Sequence, residues 1–300
     1  MEVFLELSII VILATFFAGI MRLLKQPLII GYILTGIVIS PYFLDIMNSV
    51  KIVETFSHLG IALLLFLVGL GLNLNMLKDV GKVSLITGIG QVLFTSIFGY
   101  LIATSLGFET ITAIYIAVAL TFSSTIIIMK LLSDKGDLDT LYGRISVGFL
   151  LVQDLLVIFA LLIISSLSDG AKLSTLLIET FFVLLGLLAV IFIFSKYVLN
   201  RIIKYIASSQ EYLLLFSLGW CFLLSTIFYY FNFSIEVGAL IAGITLASTP
   251  YKFEITSKMK SLRDFFLVLF FVMLGSQMVF DDISKFMIPI ITFSAFIFIG

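Results

Sequence analysis

One carboxylate lies in the middle of a long apolar run, and it is the residue of this sequence best placed to do chemistry. Asp154 follows Gln153 inside the run 142–167, which reads as one helix long enough to cross a bilayer. An ionisable group at that depth costs about 2.5–3.5 kcal/mol on mild insertion scales, so it is a functional candidate by default. Burial also favours the neutral acid, which suits a group that binds a proton and a metal cation in turn. The alternative is a structural carboxylate that is hydrogen-bonded to another helix.

Oxygen-bearing side chains could complete a cation site around this carboxylate. Gln153 offers a neutral carbonyl oxygen, although adjacent helical residues point about 100° apart. A second apolar segment, 110–129, carries a cluster of hydroxyls at its centre: Thr121, Ser123, Ser124 and Thr125. We expect a discontinuous helix there, whose freed carbonyls and hydroxyls line the site, with Thr121 and Ser124 as the preferred ligands. The alternative is bonding of these hydroxyls to the preceding helical turn, which only bends a helix.

Two further acids lie deeper in the apolar segments than the remaining ones. Glu179 and Glu236 both fall toward the same predicted side of the membrane, near the ends of their segments. They are predicted to line an entry funnel for the cation. The alternative is that both are interfacial side chains that reach water.

The composition restricts the classes of protein to which this chain can belong. Of its 300 residues, 61% are hydrophobic and 12% are charged, whereas soluble domains carry about 25% charged residues. The chain is therefore predicted to be an all-α polytopic membrane protein, because its long apolar runs differ from the short alternating segments of a barrel. No basic patch suggests nucleic acid, and no motif suggests a cofactor or a metal beyond a transported cation. Paired acids, or a nucleophile with its base, are missing from the apolar segments, so we do not expect an enzyme.

Basic residues test the division of the chain into segments. We predict eleven segments, with boundaries at 3–21, 27–44, 57–77, 83–106, 110–129, 142–168, 173–195, 210–231, 233–249, 265–280 and 286–300. The connections after odd-numbered segments hold all 17 Lys and Arg residues except Lys51, Lys172 and Lys285. The positive-inside rule then places those connections in the cytoplasm, the N-terminus outside and Gly300 at the cytoplasmic end.

Several motifs resemble one transporter family. They are GYILTGIVISP at 31–41, LFLVGL at 65–70, SSTII at 123–127, KLLSDKGDLDT at 130–140, GRISVG at 143–148, QD at 153–154, GALIAG at 238–243 and FFVMLG at 270–275. In this order they resemble the monovalent cation:proton antiporter-2 family, and most closely its Kef-type potassium/proton branch. The resemblance runs through nearly the whole chain. The glycines at 31, 36, 69, 71, 238 and 243 are also predicted to mark close packing between helices.

The resemblance implies a sodium/proton-antiporter-like fold of thirteen helices, with inverted repeats, discontinuous helices and a homodimer. Within a single transport domain, 1–300, it assigns 1–82 and 173–285 mainly to scaffold and dimer helices. It assigns 83–168 to the first core repeat with the ion site, and 286–300 to the start of an incomplete second repeat. About 11 of the 13 helices would then be present, and the 300 residues read as a fragment of something longer. A regulatory nucleotide-binding domain or subunit would lie outside this chain.

The predicted function is exchange of a monovalent cation for protons across a prokaryotic inner or plasma membrane. One carboxylate that binds either ion gives electroneutral exchange through alternating access. A neutral Gln153 weakens the field of the site, which favours potassium over sodium because potassium is easier to dehydrate. The alternatives are a sodium/proton antiporter of the same fold, a truncated fragment that transports nothing, and a channel-like cation efflux protein.

Overall fold

The computed structural model describes residues 2–46, 49–71, 74–169, 173–280 and 283–299, and within these ranges it leaves aside the side chains of 2, 74–80, 155, 158–180, 200 and 283. The described helices are α1 (Glu2–Leu23), α2 (Leu28–Ile39), α3 (Val50–Gly71), α4 (Leu74–Ser105), α5 (Thr110–Thr121), α6 (Thr125–Lys135), α7 (Leu141–Asp169), α8 (Leu173–Phe194), α9 (Asn200–Ile206), α10 (Gln210–Tyr230), α11 (Ile235–Ala247), α12 (Lys252–Ser276) and α13 (Ile283–Ile299). A π-helical turn, Ser195–Leu199, joins α8 to α9. Six helical stretches in the described ranges are long and apolar enough to cross a membrane.

The helices divide into two compact units. The first contains Met1–Leu72 and Val190–Phe280, and the second contains Asn73–Ala189 and Asp281–Gly300. The assignment of these parts of the chain to scaffold and core roles remains a prediction.

In the first unit, α3 is the central helix. All of its residues from Gly60 to Leu70 are buried, and it packs against α11 and α12. A Cβ atom on Gly243 would overlap the carbonyl oxygen of Phe66, and one on Gly69 would overlap the carbonyl oxygen of Leu240. Such close backbone approach is how helices associate where lipid supplies no hydrophobic driving force.

The predicted close-packing role of the glycines is confirmed at most of these positions. Added Cβ atoms at Gly31, Gly36 and Gly238 would also fall within 3 Å of the backbone of a neighbouring helix. Gly71 differs, since it ends α3 and meets no described atom within 4 Å.

Several helices extend beyond the predicted apolar segments, and α12 departs furthest from the prediction. Residues 251–263 were expected to form a loop, but α12 begins at Lys252. No Gly or Pro interrupts the chain from there to Leu274, and one face of this polar stretch is buried through Ile255, Met259 and Arg263. An amphipathic spacing of four residues therefore continues the helix where the chain is too polar for the hydrocarbon.

In the second unit, α4 packs against both α5 and α7. Gly148 of α7 lies against the Ser84 side chain of α4, and Gly88 of α4 lies against Val152. The Ser84 hydroxyl also donates to the carbonyl oxygen of Ile145 at 3.3 Å. These small residues hold α7 close to α4 at the level of Gln153 and the turns that precede it.

Candidate functional site

The helix is broken at the cluster of hydroxyls, between the end of α5 at Thr121 and the start of α6 at Thr125. Phe122 and Ser124 adopt extended backbone conformations, with ψ angles of 116° and 102°. The Ser124 side chain then caps α6 by accepting a hydrogen bond from the Ile127 backbone N–H at 3.4 Å. Ser and Thr side chains favour such breaks because they satisfy backbone groups that a helix end leaves open.

Asp154 lies beside the start of α6. Its Oδ1 atom accepts a hydrogen bond from the Thr125 hydroxyl at 3.2 Å, and α6 packs against α7. Thr125 is the first residue of α6, whose exposed N–H groups and dipole favour negative charge. The carboxylate is thus held at the positive end of a helix that begins inside an apolar stretch.

The hydroxyl of Thr121 is committed to contacts within the protein. Thr121 is fully buried, and its hydroxyl donates to the Ala117 carbonyl at 2.7 Å. It lies 2.8 Å from the Ser96 hydroxyl, which must act as the donor because the Thr121 proton is already used. The back-bonding alternative therefore describes Thr121, whereas Ser123 and Ser124 are exposed at the break.

The carbonyl at the end of α5 is capped by two amides. The Nε2 atoms of Gln91 and Gln153 donate to the Thr121 carbonyl oxygen at 3.1 Å and 3.2 Å. Gln153 also donates to Gln91 Oε1 at 2.7 Å, and Gln91 donates to the Thr95 hydroxyl at 3.0 Å. The Gln153 side chain is only 1% exposed, and its own Oε1 has no hydrogen-bond partner in the described part of the chain.

The sequence analysis missed the contribution of α4. Gln91 and Thr95 lie one helical turn apart inside a predicted span, and Ser96 follows them. A polar cluster at i, i+4 spacing in an apolar segment is the signal that would have found it. The predicted site on α7 and α5 is therefore joined by a third helix.

The two acids of the predicted entry funnel lie in different units. Glu236 is half-buried in the first turn of α11, in the first unit. Glu179 falls on α8, but its side chain lies outside the described residues. Among the described residues, no three His, Cys, Asp or Glu side chains are grouped so as to hold a metal ion.

The contacts indicate what the site can do chemically. A carboxylate that accepts a hydroxyl hydrogen bond can take up a proton, or a cation can occupy its oxygens in place of that proton. Neutral carbonyl and hydroxyl oxygens nearby suit a weakly hydrated monovalent ion. Lys130, the first cationic side chain along α6, is buried and pairs with Asp134 at 2.8 Å.

Comparison with known sequences gives matches over nearly the full chain. A sequence model of the family described as "Sodium/hydrogen exchanger, transmembrane" matches residues 10–300. The "Iron transporter MagA" of Paramagnetospirillum magneticum is 26% identical over 291 residues, which cover 97% of this chain and 67% of that protein. "K(+) efflux antiporter 5" of Arabidopsis thaliana is 26% identical over 277 residues, or 90% of this chain and 49% of that protein. The "Probable Na(+)/H(+) antiporter GerT" of Bacillus cereus is 27% identical over 283 residues, or 92% and 74%.

The fold also matches a solved structure. The sodium proton antiporter MjNhaP1 from Methanocaldococcus jannaschii aligns with a TM-score of 0.69 at 21% identity, over 96% of this chain and 74% of that one. The predicted fold class is confirmed by this match. The chain spans about half to three quarters of the length of these relatives, and its apolar helices identify an integral membrane protein.

Proposed function

Because the chain belongs to the sodium/hydrogen exchanger family, we propose that it exchanges a monovalent cation for protons across a membrane, with Asp154 as the shared binding group. The observation that carries this proposal is the hydrogen bond between Thr125 and Asp154 at the helix break. It ties the one acid in the middle of α7 to the only interruption that the structure describes within a predicted apolar span. Relatives whose names state an activity are transporters, which supports transport over enzymatic function.

In this proposal the proton and the cation compete for the same carboxylate. The protonated acid leaves the site neutral, and deprotonation creates the charge that binds a cation. One proton then moves against one monovalent cation, so a full cycle carries no net charge. Ser123 and Ser124 at the break, Thr125 beside the acid, and Thr121 behind it are the candidate lining residues.

Potassium is the favoured cation in this proposal. Gln153 places a neutral amide where a second acid would strengthen the field, and a weaker field favours the ion that loses its water more easily. The relative named K(+) efflux antiporter 5 is in keeping with this preference. Sodium is the second candidate, because GerT is named a probable Na(+)/H(+) antiporter.

The wider organisation follows from the same proposal. The parts 1–82 and 173–285 act as scaffold and dimer helices of a homodimer, while 83–168 and 286–300 carry the moving core. Glu179 and Glu236 line the route by which cations enter from outside. The N-terminus lies outside a prokaryotic inner or plasma membrane, and a nucleotide-binding regulatory domain or subunit is supplied from outside this chain.

The deciding experiment measures exchange in proteoliposomes that contain a trapped pH dye. The unmodified protein is compared with Asp154→Asn and with Glu211→Gln, a control that removes an exposed carboxylate from the first turn of α10. We expect potassium, and more weakly sodium, to change the internal pH with the unmodified protein and the control but not with Asp154→Asn. Exchange that survives Asp154→Asn would refute the role of this carboxylate.

The remaining alternatives give distinct outcomes in the same vesicles. A channel-like pathway would dissipate a cation gradient with no coupled pH change. A chain that transports nothing would leave the dye silent with every variant. An electroneutral exchanger produces no steady current on a solid-supported membrane, whereas an exchanger that moves unequal charges does.

A further inference from the structure

The amide hydrogens of Gln91 and Gln153 are all in use, and this fixes how both amides are oriented. Gln91 Nε2 donates to Thr95 and to the Thr121 carbonyl, at 3.0 Å and 3.1 Å. Its oxygen consequently faces Gln153, whose Nε2 donates to that oxygen at 2.7 Å and to the Thr121 carbonyl at 3.2 Å. An amide group has two N–H hydrogens, so neither side chain has another to give.

A rotation of the Gln153 amide by half a turn would be unfavourable. It would place Oε1 of Gln153 against two other acceptor oxygens, those of Gln91 and Thr121, in place of the present hydrogen bonds of 2.7 Å and 3.2 Å. The shorter of these two contacts is the one to Gln91. Gln91 is therefore the stronger of the two groups that decide which end of the Gln153 amide points toward α5.

The Gln153 oxygen is left over from this arrangement. Gln153 is 1% exposed, and in the described part of the chain its Oε1 has no hydrogen-bond partner. Leaving a buried acceptor unsatisfied costs about 1–3 kcal/mol, so such groups usually have a purpose. A carbonyl oxygen held in one direction without a donor is a ready ligand for a dehydrated cation.

We propose that Gln91 is a positioning residue, which holds the Gln153 amide so that its carbonyl oxygen is available to the transported monovalent cation. This inference rests on the proposed function and adds a residue of α4 to it. Gln91 does not touch the cation in this account. It acts through Gln153, while its bond to the Thr121 carbonyl keeps the end of α5 in register with the site.

The test separates cation affinity from maximal rate. Gln91→Met keeps an unbranched side chain of similar length and removes both amide functions. We expect the KM for potassium and for sodium to rise about fivefold, the effect of losing one hydrogen bond of about 1 kcal/mol. The maximal rate should change by less than about twofold, because the bound state can still form. In a Gln153→Leu background, Gln91→Met should have no further effect on KM, since the oxygen that it positions is gone.

The matched control removes a different hydrogen bond between the same two helices. Ser84 lies seven residues before Gln91 on α4 and bonds to Ile145 of α7 at 3.3 Å. Ser84→Ala should leave KM unchanged, although it loosens the α4–α7 contact. If Gln91→Met does not reach the membrane as folded protein, Thr95→Val provides the same test, because it removes the hydroxyl that anchors the Gln91 amide.

Two results would overturn the positioning role. One is a lower maximal rate with an unchanged KM in Gln91→Met, as expected for a residue that only packs. The other is a rise in KM of equal size in the Gln153→Leu background, which would show that Gln91 acts independently.

A separate readout distinguishes failure of the proposed function. The Tm of the purified protein is measured with potassium chloride, sodium chloride and choline chloride, since a bound ion stabilises the folded state. If the unmodified protein does not exchange, the proposed function fails, and the role of Gln91 is judged by whether Gln91→Met weakens the stabilisation by ions. No stabilisation by either ion in the unmodified protein would overturn both proposals.

Discussion

Replacing Thr125 by Val tests the contact on which the proposed mechanism depends. The Thr125 hydroxyl donates to Asp154 Oδ1 at 3.2 Å, and Val has nearly the same shape without the hydroxyl. Hydrogen bonds to charged groups contribute about 1.5–3 kcal/mol, and this one is longer than the usual 2.5–3.0 Å. A loss of about 1.5 kcal/mol corresponds to roughly a tenfold rise in the KM for the cation. The assay is exchange in proteoliposomes over a range of potassium and sodium concentrations at fixed pH.

Two further variants make this result interpretable. Thr125→Ser restores the hydroxyl and should keep KM within about twofold of the unmodified value, within the usual spread of such measurements. Thr104→Val removes a hydroxyl on α4 that bonds back to the Tyr100 carbonyl at 3.0 Å, and it should have no effect on KM. A Thr125→Val protein with the KM of the unmodified chain would refute the idea that this hydroxyl helps to form the cation site.

The other predictions concern packing and the backbone. Gly243→Ala should destabilise the protein by about 1–3 kcal/mol, because its new methyl group meets backbone of α3 that cannot move aside; Gly219→Ala, with open space at its Cβ, should not, and thermal unfolding in detergent compares the two. Gly136→Ala should cost about 1–2 kcal/mol in the same assay, since Gly136 ends α6 with φ at 75°. Gln153→Glu should lower Tm more at alkaline than at acidic pH, because only a protonated carboxyl group can donate to the Thr121 carbonyl. A Tm for Gln153→Glu that does not depend on pH would contradict the described orientation of this side chain.

The sequence was sufficient to predict the fold class and the position of the helix break. The resemblance to cation:proton antiporters is confirmed by the family match and by relatives named K(+) efflux antiporters. The break could be located because hydroxyl residues concentrated in an apolar run have a direct physical effect on helix hydrogen bonding. The roles of Asp154 and Gln153 in transport remain predictions that the exchange assay will decide.

The sequence was less informative about features that depend on which helices become neighbours. Gln91 was hidden within a span defined by its mean apolarity, and nothing in the order of residues pairs it with Gln153. Hydropathy also ended α12 too late, because the buried face of Ile255 and Met259 recurs every four residues among charges that a window average counts against a helix. A moment calculated along the helix responds to such a face, whereas an average does not.

The neutral residue before Asp154 explains why the amide pair and the single charge belong together. If an acid stood at position 153, the Thr121 carbonyl and Gln91 Oε1 would face a third acceptor, and the end of α5 would lose one of its two caps. The hydrogen bonds that Gln153 gives at 2.7 Å and 3.2 Å require an N–H donor there at every stage of the cycle. Its amide keeps them whether Asp154 holds a proton or a cation, because it does not titrate. The broken helix can therefore remain capped while the charge of the site changes, which leaves Asp154 as the one titrating group among these contacts and favours exchange of one ion for one proton.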